Sequence, residues 1–164
     1  MSRGFVKEDD LEHAGTDLPE RPISPHANYV TPTGLVQLQT QSERLELERQ
    51  QLSPYKDDPV VSQRLGMLER DLRYFQARLE NVILVEPAGQ PPEQVLFGIT
   101  VTVEDENGYS QTFTIVGEDE ADIASGKVSY VSPLARALIG HKTGESVIWK
   151  RPAGDLTLDI LEII

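Results

Sequence analysis

The sequence predicts an α+β protein in which a helical hairpin precedes a mainly antiparallel β domain with one short helix. Three observations predict this fold class: two ladders of apolar residues at helical spacing, a proline-containing break between the ladders, and short alternating segments after residue 92. Apolar residues at alternating steps of four and three line one face of a helix, whereas a period of two lines one face of a strand. The 164 residues can form one ordinary domain or two small ones.

The first predicted region, residues 1–33, is an extended tail. Acidic side chains are concentrated between residues 8 and 12, and four prolines between residues 19 and 32 interrupt any periodicity. We expect a coiled-coil hairpin over residues 34–86, a linker rich in proline and glycine over residues 87–92, and the β domain over residues 93–164.

The hairpin is predicted from two heptad ladders. The first helix is expected to begin near Thr33, which can cap it, and to end near Leu52; the second is expected from Pro59 to about Val82. Short loops join antiparallel neighbouring helices, so the two should pack along their apolar seams. The seam residues are Leu35, Leu38, Leu45 and Leu52 in the first ladder, and Val61, Leu65, Leu68, Leu72, Phe75, Leu79 and Val82 in the second.

Asp57 and Asp58 stand at the expected tip of the hairpin, within a break that contains two prolines. Two carboxylates suit magnesium, which usually takes one or two protein carboxylates and keeps water or phosphate as its other ligands. A structural role is the alternative, because Asp58 precedes Pro59 and an aspartate before a first-turn proline is a good helix N-cap. The local sequence favours the cap, and the two roles can coexist for Asp57.

After the linker, the chain alternates apolar and polar residues. Residues 97–103 and 109–115 are expected to form a β-hairpin around the Asn107-Gly108 turn. Four further elements are expected to complete the domain. They are a short strand at 128–131, a helix opened by Ser132-Pro133 and ending near Ile139, and strands at 147–150 and 156–160.

Composition excludes several classes of function. No cysteine is present, so disulfides, thiolate zinc sites and cysteine nucleophiles are excluded. The three histidines lack metal-ligand spacing, and no phosphate loop or nucleophile elbow occurs. The acidic run at residues 118–122 is expected to be a solvated loop, a metal site being the alternative. We expect a cytoplasmic protein without a signal peptide or membrane span.

The net charge of −12 is concentrated in the C-terminal part, where residues 86–164 hold five basic and thirteen acidic residues. Such a domain repels phosphate backbones, so nucleic-acid binding on its own is not expected. A basic protein partner or a metal-containing site is the better match, and the alternative is that the acidity only keeps the protein in solution.

Four segments of the C-terminal part form a recognisable set of motifs: Phe97–Val103, Val116–Asp122, Ser132–Gly140 and Pro152–Gly154. Together with the helical hairpin, they resemble the GreA/GreB family of transcript cleavage factors, over about residues 29–164. It implies an FKBP-like β domain that docks on RNA polymerase at the rim of the secondary channel, while the hairpin enters the channel. Ser132 and Pro133 match the family's polymerase-docking pair. Tip acids in this family help the polymerase hold a second magnesium ion, which promotes hydrolysis of backtracked RNA.

The tip departs from the family pattern. The family usually has a glutamate three residues after the tip aspartate and then an asparagine-alanine-glutamate-tyrosine run; here Val60 and Val61 occupy the glutamate position and the run is absent. The hairpin is also shorter by about one heptad.

Two mechanisms therefore remain open: Asp57 and Asp58 promote RNA cleavage, or the protein occupies the channel and regulates the polymerase without cleavage. A prolyl isomerase is a remote alternative suggested by the fold alone, and a generic coiled-coil adaptor would leave the C-terminal motifs unexplained. We expect a monomeric accessory factor without intrinsic cofactor, which meets magnesium in the polymerase active site and nucleic acid only within the transcription complex.

Overall fold

The computed structural model describes residues 18–90 and 92–164. It contains two long helices, one short helix and seven strands in this part of the chain. In chain order the elements are β1 (Asn28–Val30), α1 (Pro32–Leu52), α2 (Pro59–Glu80), β2 (Val82–Leu84), β3 (Thr100–Asp105), β4 (Ser110–Val116), β5 (Lys127–Ser129), α3 (Pro133–Leu138), β6 (Ser146–Trp149) and β7 (Leu156–Ile163). The predicted mixture of helix and sheet is confirmed.

Contacts between residues divide the chain into two units. Among the described residues, one unit comprises 18–25 and 38–81, and the other comprises 26–37, 82–90 and 92–164. The predicted divisions at 33/34, 86/87 and 92/93 stay predictions. The acidic cluster at residues 8–12 and His13 lie outside the described residues.

In the first unit, α1 and α2 pack along their apolar seams. Leu45 of α1 and three leucines of α2, at positions 65, 68 and 72, are buried together, and Leu52, Val61 and Phe75 pack around them. On the surface, the guanidinium of Arg64 donates to both carboxylate oxygens of Glu48, at 2.6 and 2.9 Å. This paired contact holds the pKa of Glu48 below its usual range. The heptad spacing therefore identified these seven residues, whereas the predicted seam residues Leu35, Leu38 and Leu79 lie outside this cluster.

The helix ends differ slightly from the sequence-based expectation. α1 begins at Pro32 because Thr31 caps it, its hydroxyl accepting a hydrogen bond from Gly34 N at 2.9 Å. α2 ends at Glu80, and Val82, expected as the last seam residue, instead begins β2. Strand β2 pairs in parallel with β1, with Asn28 opposite Val82. Residues 28–30, which were expected to belong to the extended tail, thus form strand β1, because β2 provides hydrogen-bond partners for their backbone groups.

The second unit contains a five-stranded sheet in the order β5-β4-β3-β7-β6. Its pairs are antiparallel as expected, with the exception of β4 and β5, which run parallel. The strand expected to start at Phe97 begins only at Thr100, because Gly98 adopts a positive φ of 87° that interrupts the extended backbone.

One side of this sheet carries the main hydrophobic core. Val101 and Val103 of β3 are almost fully buried while Thr100 and Thr102 are partly exposed, which confirms the predicted alternation. Leu138 of α3 is also fully buried against this core. Burial of these side chains is the main source of the unit's stability. No helix among the described residues combines the length and apolar character needed to cross a membrane.

Candidate functional site

The connection between α1 and α2 is a short exposed loop. A turn of 3-10 helix at Ser53–Tyr55 follows α1 directly, and every residue from Ser53 to Val60 is exposed. Pro54 sits in the first turn of this 3-10 helix and Pro59 starts α2, so the two prolines bracket the loop as the sequence suggests.

Asp58 is the N-cap of α2, as one of the two sequence-based readings predicted. Its φ and ψ are −74° and 125°, and its Oδ1 accepts a hydrogen bond from Val60 N at 2.9 Å. Its backbone carbonyl accepts from Ser62 N at 2.8 Å. The cap occupies one carboxylate oxygen, and the side chain remains exposed.

Asp57 differs from its neighbour. Its carboxylate is exposed, and within the described part of the chain it makes no hydrogen bond or ion pair. The loop thus presents one unengaged carboxylate beside one that is half engaged. Two such groups match the ligand set that magnesium takes from a protein when its other ligands come from elsewhere. Within the described residues, no cluster of three or more acids or histidines forms a self-contained metal site.

Two exposed apolar side chains flank the acids. Tyr55 precedes them with 65% of its surface exposed, and Val60 follows with 76% exposed. Val60 is the third residue after Asp57, where the resembling family has a glutamate. The loop therefore presents two carboxylates, and Val60 places an apolar side chain where the family usually has a glutamate.

Ser132 and Pro133 form the second candidate site. Ser132 Oγ caps α3 by accepting from Ala135 N at 3.2 Å, which confirms the predicted start of this helix. Leu134 and Ala135 are buried in the core, whereas Pro133 is exposed. Because the neighbouring residues are anchored, the junction presents Pro133 on a fixed backbone.

The acidic loop after β4 is not simply solvated. Glu120 is buried, with only 5% of its side chain exposed. Its Oε1 accepts a hydrogen bond from Thr31 Oγ1 at 2.5 Å, and its Oε2 lies 3.7 Å from Lys127 Nζ. The expectation of a solvated loop is therefore wrong for Glu120. Sequence reasoning missed this contact because 89 residues separate the partners.

His141 follows the end of α3. Its backbone N–H donates to Leu138 O at 3.1 Å, and its Nδ1 lies 3.2 Å from Glu145 Oε1.

Most of the aromatic side chains in the β domain pack against its hydrophobic core. Phe97, Phe113, Tyr130 and Trp149 pack against the core, and Tyr109 is 70% exposed.

Comparison with known proteins gives concordant matches. The family model described as "Transcription elongation factor, GreA/GreB, C-term" matches residues 90–164. Transcription elongation factor GreA of Trichlorobacter lovleyi is 42% identical over 113 residues, which is 68% of this chain and 72% of the relative. Transcription elongation factor GreB of Neisseria meningitidis is 33% identical over 151 residues, which is 83% of this chain and 93% of the relative.

Among solved structures, GreA factor homolog 1 of Thermus thermophilus is 21% identical, with a TM-score of 0.41. That match covers 85% of this chain and 99% of the other.

Proposed function

This chain belongs to the GreA/GreB family of transcription elongation factors, and from that membership we propose that it acts on RNA polymerase. Factors of this family are accessory proteins rather than enzymes, so the chemistry belongs to the partner. The family's coiled-coil hairpin and FKBP-like domain are the proposed identities of the two helices and the β domain. A monomer that approaches nucleic acid only inside the transcription complex is consistent with the net charge of −12.

The leading proposal is that the factor stimulates cleavage of backtracked RNA through the loop between α1 and α2. The observation that carries it is the unengaged, exposed carboxylate of Asp57 beside Asp58, whose second oxygen is free of the cap. Together they fit a shared magnesium site in which the polymerase supplies the remaining ligands. A second metal ion in such a site stabilises the attacking and leaving oxygens.

The contribution of this chain is positional. The cap on Asp58 and the fixed first turn of α2 hold the two carboxylates on one short exposed loop. The exposed Pro133, on the anchored start of α3, is proposed to contact the polymerase surface and bring the hairpin to its channel.

One observation favours a second candidate function, a regulator that occupies the channel without stimulating cleavage. Val60 presents an exposed apolar side chain where the resembling family has a carboxylate. The prolyl isomerase alternative has no comparable support, because four of the five aromatic residues considered for such a pocket pack against the core.

A cleavage assay distinguishes the two functions. The protein is added to stalled, backtracked polymerase complexes, and the RNA is followed for shortening. If the tip serves the metal site, RNA shortens in the presence of the parent protein. Val60→Glu should then increase the rate, because it adds a carboxylate at the family's spacing and an acid in the first turn is compatible with the helix. Binding without cleavage by both proteins would support the regulator.

A further inference from the structure

The segment that precedes β1 is attached to α2. This segment, residues 18–25, lies outside the region of family resemblance. Arg73 of α2 donates to both carboxylate oxygens of Glu20, with Nη2 2.6 Å from Oε1 and Nε 2.9 Å from Oε2. Because Arg73 donates these hydrogen bonds to the carboxylate, the pKa of Glu20 is lowered and the pKa of Arg73 is raised. The contact is therefore a forked ion pair with favourable geometry.

The next residue makes a second, independent contact. The guanidinium carbon of Arg21 lies 3.8 Å from the centre of the Tyr74 ring and 5.3 Å from that of Phe75. Its Nη1 is 3.4 Å from Asp71 Oδ1. A cation over an aromatic face is attracted by the ring quadrupole, and arginine also stacks there. Glu20 and Arg21 of the segment therefore contact a basic residue, an acidic residue and two aromatic rings of α2.

The position of these contacts along α2 is informative. The leucines of α2 buried against α1 lie between Leu65 and Leu72. The segment touches residues 71–75, where this buried run ends. It therefore contacts the part of α2 where the main apolar contact between the helices ends.

The contacts are exposed and individually weak. The side chains of Arg73 and Glu20 are 53% and 59% exposed. An exposed ion pair shifts an equilibrium by up to about fivefold, and an exposed cation–π contact by roughly two- to fivefold. Such a contact holds the segment in place but allows it to be released.

We propose that Glu20 and Arg21 form a reversible electrostatic clip that stiffens the C-terminal half of α2. Docking of the clip restrains residues 71–78, and its release loosens them. Where the proposed function holds, Glu20 and Arg21 are positioning residues for the loop that carries Asp57 and Asp58.

Docking can be followed in the full chain because it contains no cysteine. Ile23→Cys provides one labelling site for a nitroxide next to the clip, and its mobility is measured by electron paramagnetic resonance. Glu20→Arg and Arg73→Glu should each increase the mobile fraction about two- to fivefold. The double reversal, Glu20→Arg with Arg73→Glu, should return it towards the parent value, because the pair is restored with opposite polarity. High salt should raise the mobile fraction of the parent.

Asp155→Arg is the matched control, since it makes the same charge change at an exposed residue in the β6–β7 turn. It should leave the mobility unchanged. Equal mobility in the parent and both single reversals, or a double reversal more mobile than either, would overturn the clip.

Amide hydrogen exchange tests the stiffening directly. Residues 71–78 should exchange faster in Glu20→Arg and return to the parent rate in the double reversal, while the β3 amides remain unchanged. Unaltered exchange in α2 with a released segment would refute a positioning role. In the cleavage assay, Glu20→Arg should lower the maximum yield of shortened RNA. This effect should be larger than the change in the protein concentration that gives half of the maximum yield. If the parent itself does not stimulate cleavage, the proposed function fails. The electron paramagnetic resonance and hydrogen-exchange measurements still test the clip in that case.

Discussion

The hydroxyl of Thr31 connects the first turn of α1 to the buried carboxylate of Glu120. It accepts from Gly34 N at 2.9 Å and donates to Glu120 Oε1 at 2.5 Å. Gly34 leaves the room for this contact, because a Cβ at that position would lie 2.6 Å from the same oxygen. A helix cap, a glycine and an acidic loop thus depend on one another although they are distant in sequence.

Gly117, which approaches the backbone of Tyr29, provides a test of the packing in this part of the second unit. A Cβ on Gly117 would lie 2.3 Å from the carbonyl oxygen of Tyr29, a backbone atom that cannot rotate away. We expect Gly117→Ala to destabilise the second unit by about 1–3 kcal/mol, the usual cost of overpacking. Urea denaturation measures the change. Gly89→Ala is the control, since a Cβ there meets nothing within 4 Å; equal midpoints for the two variants would contradict this close approach.

The seam between α1 and α2 should depend on Leu72. Its side chain is 5% exposed and packs in the buried cluster of the hairpin. Leu72→Ala should therefore destabilise the helical pair by about 2–5 kcal/mol through lost burial and a residual cavity. Thermal unfolding followed by circular dichroism measures the effect. Leu47→Ala, at a residue 56% exposed, should change little; identical melts for Leu72→Ala and the parent would argue against a buried seam.

The two tip aspartates should differ when they are replaced separately. Asn caps a helix nearly as well as Asp, so Asp58→Asn should preserve the start of α2 while removing one charge. Asp57→Asn removes the charge of the unengaged carboxylate and leaves the cap intact. If the tip serves a magnesium site, both variants should bind polymerase normally, and Asp57→Asn should lose more cleavage than Asp58→Asn. The double variant should recover in part at higher magnesium concentration.

Polymerase pull-downs and RNA shortening provide these two measurements. Cleavage at the parent rate by the double variant would show that Asp57 and Asp58 have only a structural role. Retained binding with no cleavage by either the parent or the variants would support the regulator instead.

The exposed proline at the start of α3 should contribute to polymerase binding. Pro133→Glu introduces a charge at the proposed contact, while Ser132 still caps the helix and Leu134 remains in the core. We expect weaker binding to polymerase with unchanged helical content, measured by pull-down and circular dichroism. Pro152→Glu is the control at another exposed proline. Equal affinity for the two variants would remove Pro133 from the docking surface.

The sequence predicted the elements whose local signals were complete. The heptad spacing identified the leucines that α1 and α2 bury, and the alternation in β3 identified Val101 and Val103. The helix start at Ser132-Pro133 was also predicted correctly, because the serine, the following proline and the apolar run are adjacent. The docking role of Ser132 and Pro133 came from resemblance and stays a prediction.

At the tip, the sequence predicted an exposed pair of acids but left the role of each open. The tertiary structure separated them, since Asp58 caps α2 while the carboxylate of Asp57 makes no hydrogen bond or ion pair among the described residues. Whether they serve a metal is a property of the complex with a partner, which the sequence of one chain does not encode locally.

The sequence by itself determined the helical seam, the alternating strands and the residues of the loop, because these depend on spacing and on neighbours within one or two turns. Only the tertiary structure decided that Asn28–Val30 pairs with β2, that β5 runs parallel to β4, and that Glu120 is buried against Thr31. Those contacts join segments far apart in the chain. Their free energy comes from backbone pairing and from polar groups satisfied on burial, which no local pattern of residues specifies.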